Sequence, residues 1–377
     1  MVSDFRNYAA AKLNVDERPV VLTGPNGAGK TNLLEALSFL APGRGLRRAA
    51  LAEVCRRSGD GEAPARGWAV AARLEAEGGP VEIGTGIEPP ADGAAARRIV
   101  HIDGVDAGAQ SVLAHWVSLN WLSPEMDRLF DHGAADRRRF LDRLVYAFDR
   151  EHSVRLNRYE RTMRERTRLL RGRGGRNHPA WLDALESTMA EAGVAVAAAR
   201  RGLARRLDEI CRAATGPFPA ASVAVDGALE AMLDDAPALA VEDAVRERLK
   251  ALRGVDTEAG RATLGPHRSD LACIHLAKAC PAAQCSTGEQ KALLIRIILA
   301  HARLIAAERG FAPLMLLDEV GAHLDAERRR ALFEEVLALG SQAWMTGTEP
   351  AAFDGLGSRV QYFGVCDGAI APLTAQP

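Results

Sequence analysis

No apolar run in this 377-residue sequence approaches the ~18–20 residues that a membrane-spanning helix needs. Its first ten residues, MVSDFRNYAA, lack a basic stretch followed by an apolar one, so no secretory leader is expected. The six cysteines are Cys55, Cys211, Cys273, Cys280, Cys285 and Cys366. They contain no C-x-x-C pair and have no histidine cluster beside them, which argues against zinc and for free thiols in a reducing compartment. Charge of one sign is also lacking: 48 Lys and Arg against 49 Asp and Glu leave a net charge of −1. No global field marks a nucleic-acid or membrane partner, and charge must be read locally. These absences lead to the expectation of a cytoplasmic protein with no membrane partner. What remains is ordinary for a globular chain, 47% hydrophobic and 26% charged, with a length suited to two or three domain-sized units.

Along the chain, PVVLT (19–23) reads as a buried strand, followed by a Gly-rich turn and then a helix with Leu33, Leu34, Leu37 and Leu40 at helical spacing. Residues 43–66 read as irregular and exposed. Short alternating segments between Trp68 and Asp106, separated by GG, PP and DG, predict an antiparallel β-meander. WVSLNWL (116–122) is a further strand. The texture then changes. Residues 134–172 carry apolar residues at three- and four-residue steps, predicting a long amphipathic helix with room for one break. GRGGRNHP (172–179) turns the chain, and a second long helix runs from about Trp181 to Ala214, so the two make an antiparallel hairpin. After a weaker helical stretch at 241–253 the α/β texture returns: a strand at 313–318, a helix at 326–339, a strand at 343–347 and a hairpin at 360–370. The expectation is an α/β head with a mixed sheet and a β-meander, built from 1–122 and 260–377, with a helical arm inserted at 123–259.

Residues 24–31, GPNGAGKT, fit G-x-x-x-x-G-K-[ST] between a strand and a helix. Gly24, Gly27 and Gly29 permit backbone conformations that turn successive N–H groups toward one point, and the helix start adds partial positive charge. Pro25, Asn26, Ala28 and Asn32 complete the loop and first turn around a bound nucleotide. Lys30 is expected to reach the β- and γ-phosphates of ATP, and Thr31 to offer a hydroxyl to Mg²⁺. Asp318 and Glu319 end the apolar run Leu314-Met315-Leu316-Leu317. A carboxylate at the end of a buried strand suits magnesium, and Glu319 is placed to activate an attacking water; the plainer alternative is an acidic pair opening a helix. STGEQ (286–290), before the helical run KALLIRIILAHARLIA, presents Ser286 and Gly288 in the layout of an ABC signature, which closes on the γ-phosphate of a second head. The same residues also read as a helix N-cap with Glu289 in the first turn, and both readings hold together. Asp325 stands where such heads carry an Asp that crosses the same interface. The strand AWM is followed by Thr346-Gly347-Thr348 in place of the usual histidine.

Several stretches together resemble the RecF family of bacterial DNA replication and repair proteins. They are DFRNY (4–8), GPNGAGKTNLLEAL (24–37), LSPEMDRLFDHGAADRRRFLDRL (122–144), TLGPHRSDL (263–271), CSTGEQKALL (285–294), LLDEVGAHLD (316–325) and TGT (346–348). The resemblance implies an SMC-like ABC ATPase with a short helical arm. It also implies ATP-dependent dimerisation and DNA binding, slow DNA-stimulated hydrolysis, and work with RecO and RecR to load recombinase at gaps and support the SOS response. By position it puts Arg6 and Asn7 near the nucleotide and Ser123-Pro124-Glu125 at a Q-loop. The sequence departs from the pattern at Ser269, where the family has an acid, and in an arm turn rich in Arg and Gly. It also has only three residues before Asp4, where the family has a longer first strand.

Between 137 and 176 there are 14 arginines, the densest being Arg137-Arg138-Arg139, Arg164, Arg166, Arg168, Arg171, Arg173 and Arg176. On a near-neutral protein this suits contacts to a DNA backbone without sequence preference. The alternative is a solvated face with pairs such as Glu160 to Arg164. Two other functions share the nucleotide motifs. A transporter ATPase is disfavoured by the arm, by STGEQ and by the missing histidine. A structural SMC protein would need arms of several hundred residues.

Overall fold

The computed structural model describes residues 1–57, 67–76, 78–88, 97–172, 179–213, 215–321 and 324–373. Before the arm the chain forms β1 (Val2–Phe5), β2 (Tyr8–Ala11), β3 (Val20–Thr23), α1 (Lys30–Ser38), β4 (Trp68–Ala76), β5 (Gly79–Ile87), β6 (Arg98–Ile102), β7 (Val105–Asp106), α2 (Leu113–Trp116) and β8 (Leu119–Leu122). Then follow α3 (Ala134–Val145), α4 (His152–Arg171), α5 (Pro179–Ala213), β9 (Ala221–Asp226), α6 (Ala228–Asp235), α7 (Ala238–Ala251), α8 (Arg253–Ala259), β10 (Asp270–His275), β11 (Cys280–Pro281) and α9 (Thr287–Arg309). The chain ends with β12 (Leu314–Leu317), α10 (Ala326–Ala338), β13 (Ala343–Gly347), β14 (Gln361–Cys366) and β15 (Ala369–Leu373). It divides into two compact units, 1–126 with 305–377, and 127–304.

The first unit holds two sheets. One has the order β15-β14-β3-β13-β12-β8, parallel except for the antiparallel edge strand β15. The central strands are apolar on both faces, as parallel strands covered on both sides must be. The other sheet, β2-β1-β4-β5-β6-β7, is antiparallel throughout. It contains the expected meander plus β1 and β2, which the sequence pattern did not reveal. VSDF and YAAA are too short for alternation to register, and their burial comes from pairing Val2 with both Ala11 and Val70. Leu33, Leu34 and Ala36 of α1 share one core with residues of both sheets, such as Leu22, Leu316, Val70 and Ile83. Phe5, Phe39 and Trp68 sit at its heart, Phe5 meeting the other two rings edge-on at 5.9 and 5.4 Å. Each such pair adds about 0.5–1.5 kcal/mol beyond area burial. The stretch read as irregular begins to order here: Leu46 and Val54 are buried, and Phe5 bridges to Cys55. Its remainder, 58–66, lies outside the described residues.

The second unit is built on the antiparallel pair α4 and α5. The helix expected over 134–172 breaks after α3 because Asp149 takes the N–H of Glu151 at 3.0 Å and the guanidinium of Arg155 at 2.6 Å, restarting the chain as α4. The arm turn 173–178, with Arg173 and Arg176, lies outside the described residues. A small antiparallel sheet, β11-β10-β9, was not foreseen. It also bears on the domain boundary: 260–304 was expected with the head, yet β10 pairs along its whole length with β9, and this stretch falls in the second unit. Ser269, buried beside β10, donates to both carboxylate oxygens of Glu230 at 2.8 Å. Burial raises the Glu230 carboxyl, and the Ser269 hydrogen bond opposes this. An acid at 269 would instead set two carboxylates against each other.

Candidate nucleotide-binding site

The loop after β3 is shaped by three glycines with positive φ: Gly24 (147°), Gly27 (82°) and Gly29 (115°). Two of them also have no room for a side chain. A Cβ at Gly24 would lie 2.1 Å from the Val365 carbonyl oxygen, and one at Gly29 would lie 2.5 Å from the Asn7 amide. Pro25, Asn26 and Gly27 form an exposed lip, while Ala28, Gly29 and Lys30 are buried. The turn between β1 and β2 clamps this loop. Asn7 Nδ2 donates to the Ala28 carbonyl at 3.1 Å, the Tyr8 hydroxyl donates to the Gly29 carbonyl at 2.9 Å, and Asn32 Nδ2 donates to Asn7 Oδ1 at 2.8 Å. Arg6 makes a two-pronged pair with the buried Glu35 of α1 at 2.9 and 2.8 Å. The family resemblance put Arg6 and Asn7 near the nucleotide; their hydrogen bonds fix the loop and the helix behind it. Arg6, Asn7 and Asn32 also line a recess of about 530 Å³ together with Arg47 and Arg57, two residues whose position the sequence pattern did not signal.

The Lys30 ammonium donates to the carbonyls of Gly24 and Pro25 at 2.6 and 2.9 Å. Burial lowers its pKa, and the charges of Glu319 and Asp318 act in the opposite sense. Thr31 Oγ1 donates to Asp318 Oδ1 at 2.9 Å, and Thr346 Oγ1 donates to the same oxygen at 2.8 Å. Thr346 in turn accepts the Glu319 N–H at 2.8 Å. The sheet order explains the convergence. β13 lies between β3 and β12, so the residues at the carboxyl ends of all three strands meet, as is usual for open α/β sheets. Glu319 has a φ of 48°, an uncommon conformation for a residue with a side chain. Asp318 is 5% exposed. Burial is the largest influence on its carboxyl and raises it, the two threonine hydrogen bonds pull it back, and Glu319 pushes it up again. Ser123 is buried just past β8, where the Leu122 carbonyl accepts the Asp318 N–H at 2.9 Å.

A hydroxyl and one carboxylate are few ligands for a metal, and among the described residues no cluster of three or more His, Cys, Asp and Glu forms a metal cage. This donor set fits Mg²⁺, which keeps waters and takes phosphate oxygens. Asp325 caps α10, accepting the Arg328 N–H at 2.8 Å. Its neighbours Ala322 and His323 lie outside the described residues.

In the second unit, Ser286 precedes α9. Its N–H and hydroxyl donate to Glu289 Oε2 at 3.1 and 3.0 Å, so Glu289 reaches back as in half of a capping box. A hydrogen bond from Lys278, then those from Ser286, pull the Glu289 carboxyl down to about 2. A Cβ at Gly288 would meet nothing within 4 Å, so the helix start is open there and the glycine answers no need of its own fold.

The basic arm divides into two classes. Arg137 pairs with Asp270, Arg155 with Asp149 and Glu151, and Arg158 with Glu191. Arg166 is fully buried between Glu186 (2.8 Å) and Asp256 (2.5 Å) and donates to the Leu249 carbonyl. Arg138 and Arg171 donate to the carbonyls of Ser269 and Gly260, and Arg139 pairs with Asp136. Arg161, Arg164 and Arg168, on one face of α4, line a recess of about 500 Å³ with half-exposed Trp181. Among the described residues these three have no ion-pair partner. Arg164 does not pair with the Glu160 carboxylate; its Nε donates to the Glu160 carbonyl at 3.1 Å.

A Gly-rich phosphate loop after a parallel strand, an Asp-Glu pair after a strand two places along the same sheet, an antiparallel side sheet and a helical arm define an ABC-type P-loop ATPase head of the SMC kind. The family model described as the RecF/RecN/SMC N terminal domain matches residues 1–352. The chain is 50% identical over 373 residues to the DNA replication and repair protein RecF of Mesorhizobium japonicum, covering 98% of this chain and 96% of that protein. To RecF of Rhizobium rhizogenes it is 50% identical over 372 residues, with the same coverage. RecF of Brucella suis is 49% identical over 98% of this chain and 94% of its own. The chain belongs to the RecF family. A solved structure of the recombination mediator protein RecF-ATP in the RecFOR pathway shares the fold, with a TM-score of 0.82 at 21% identity over 99% of this chain and 96% of that one. An Smc head bound to the C-winged helix domain of ScpA is a more distant match, with a TM-score of 0.54 at 15% identity over 99% and 96%. No helix among the described residues is long and apolar enough to cross a membrane.

Proposed function

We propose that this chain binds ATP with Mg²⁺, pairs with a second copy when it does, and acts as an ATP-controlled clamp on DNA in recombinational repair and replication. The observation that carries this reading is the hydrogen-bonded set Thr31, Asp318, Thr346 and Glu319 beside Lys30. Backbone N–H groups of residues 26–31 receive the phosphates, and Lys30 neutralises the β- and γ-oxygens. Thr31 and Asp318 would hold magnesium, which when bound would supply positive charge against the phosphate oxygens. Glu319 orients the attacking water. The glycines, Pro25, Asn26, Ala28 and Asn32 line the phosphate pocket, and the recess beside Arg6 and Arg47 takes the rest of the nucleotide.

Ser286, Gly288 and Asp325 act across the dimer, on the phosphate bound by the partner copy. The open start of α9 suits that role, because a γ-phosphate can approach a helix N-terminus bare of side chains. Hydrolysis is slow, is stimulated by DNA and releases the dimer. Residues 1–126 and 305–377 serve as the head and 127–304 carries the arm. Arg161, Arg164 and Arg168 contact DNA backbone without sequence preference. The names of the relatives, a DNA replication and repair protein and a recombination mediator in the RecFOR pathway, support a role in repair. Work with RecO and RecR in recombinase loading and the SOS response extends that reading on the family resemblance alone.

Sedimentation with and without ATP, and with and without duplex DNA, tests the reading. The wild type should dimerise only with ATP. Ser286→Arg should bind ATP equally well and remain monomeric. A Ser286→Arg protein that still dimerises with ATP removes Ser286 from the interface.

A further inference from the structure

Cys280 and Cys285 flank the turn that leads into Ser286. Cys280 is in β11, paired with His275, and Cys285 follows the tight turn 282–284, its N–H donating to the Ala282 carbonyl at 3.0 Å. The two sulfurs are 3.4 Å apart. A disulfide needs about 2.05 Å between sulfurs, so closure requires only a small side-chain and loop adjustment. Cys280 is half-buried and Cys285 is buried. Burial is the largest influence on the Cys285 thiol and raises it; of the ion pair beside it, Glu289 also raises it and Lys278, 2.5 Å from Glu289, lowers it.

We propose that Cys280 and Cys285 form an oxidisable dithiol site that takes hydrogen peroxide as its two-electron oxidant and, once closed, locks the loop carrying Ser286. The second half of this proposal rests on the dimer role of Ser286 given above. In the first step the Cys280 thiolate attacks a peroxide oxygen and the O–O bond breaks. Hydroxide leaves and is protonated to water, and Cys280 becomes a sulfenic acid. The Cys285 sulfur then attacks the Cys280 sulfur, the S–O bond breaks, and the departing hydroxide takes up the proton lost by Cys285. Two thiols have lost two electrons and two protons, and the peroxide has become two waters.

The other thiols differ in ways that single out this pair. Burial pushes Cys211 and Cys273 up to about 12, so they stay protonated and inert. Cys280 is the more exposed of the pair and Cys285 is buried behind it, so Cys280 is the attacking thiol and Cys285 the resolving one. Closure reaches the signature through two hydrogen bonds. Gln290 Nε2 donates to the Cys285 carbonyl at 3.2 Å and the Gln290 N–H donates to the Ser286 carbonyl at 2.8 Å. A displaced Cys285 thus displaces Ser286 and the start of α9.

The test uses the full chain carrying Cys366→Ser, which removes the exposed thiol that could cross-link copies. The protein is treated with hydrogen peroxide at mildly alkaline pH and digested without reduction, and its peptides are weighed. The expected product is a Cys280–Cys285 species lighter by two hydrogens, reversed by dithiothreitol and absent from Cys280→Ser and Cys285→Ser. In sedimentation with ATP, the reduced protein should dimerise, and oxidation should weaken the dimer roughly tenfold or more. Cys280→Ser should dimerise with or without peroxide. Free thiols that survive peroxide, or a sulfonate on Cys280 with no disulfide, overturn the site. A disulfide that leaves dimerisation unchanged overturns the link to Ser286. A reduced protein that fails to dimerise with ATP overturns the earlier reading of Ser286 and the link with it, while the mass measurement still decides the dithiol site.

Discussion

The Thr346 hydroxyl donates to Asp318 Oδ1 at 2.8 Å while accepting the N–H of Glu319, also at 2.8 Å. One side chain on β13 thus fixes the carboxylate proposed to hold magnesium and the backbone of the residue proposed to handle water. Thr346→Val keeps the shape and removes both bonds. The expected result is a stability loss of about 1–3 kcal/mol in denaturant titration, from buried partners left unsatisfied. Hydrolysis should fall by a larger factor than ATP affinity, because the Glu319 backbone is released from its φ of 48°.

Asp318 gives a prediction with a definite sign. Burial raises its folded pKa above the ordinary value of 3.8. The folded protein therefore holds this proton to higher pH than the unfolded chain does. Stability from this group is full below 3.8 and falls as pH rises through the raised folded value. Asp318→Asn removes the ionisation and keeps an oxygen to accept from Thr31 and Thr346. Without nucleotide it should melt at a higher temperature than the wild type at neutral pH, with the gain shrinking in acid, while losing magnesium-dependent hydrolysis. A lower neutral-pH melting temperature for Asp318→Asn contradicts the sign.

Lys30→Ala should abolish ATP binding in a fluorescent-nucleotide titration, and dimerisation with it. Glu319→Gln should bind ATP normally, hydrolyse it about 10²–10⁴ times more slowly, as expected for loss of a general base, and stay dimeric longer. Wild-type turnover in Glu319→Gln would remove that residue from the role.

The two classes of arginine should behave oppositely. Arg161→Ala, Arg164→Ala or Arg168→Ala should leave the melting temperature unchanged and lower the slope of log affinity for duplex DNA against log salt by about 0.9 each. Arg166→Ala should instead destabilise the protein by about 3–5 kcal/mol, because Glu186 and Asp256 lose a buried partner. Salt titration and thermal melting of the same four proteins separate the cases.

Ser269→Asp should destabilise the second unit by about 3 kcal/mol, as an unpaired buried charge does, since it faces the Glu230 carboxylate. Adding Glu230→Gln should restore most of the loss. If the double variant is as unstable as the sum of the singles, the two positions are not coupled.

The nucleotide motifs were legible in the sequence because their chemistry needs neighbouring residues. Gly24 to Thr31 must be contiguous for their N–H groups to converge, Asp318 and Glu319 must end one strand, and Ser286 must open a helix that Glu289 can cap. The long helices were legible for the same reason, since periodicity is local. Thr346 drew notice only as a threonine in place of a histidine. Its bond to Asp318 joins positions 28 residues apart, and the Thr31 bond to Asp318 joins positions 287 apart.

Contacts of that reach depend on sheet order, which no local pattern encodes. The family resemblance pointed to a first strand, but the pattern of β1 and β2 did not, because four residues are too few to alternate; β9 and β10 escaped notice because each is stabilised by the other. Fourteen arginines looked alike along the chain. Among the described ones, folding buried Arg166 between two acids and left Arg161, Arg164 and Arg168 on one face, because a buried guanidinium needs partners that repay its lost hydration.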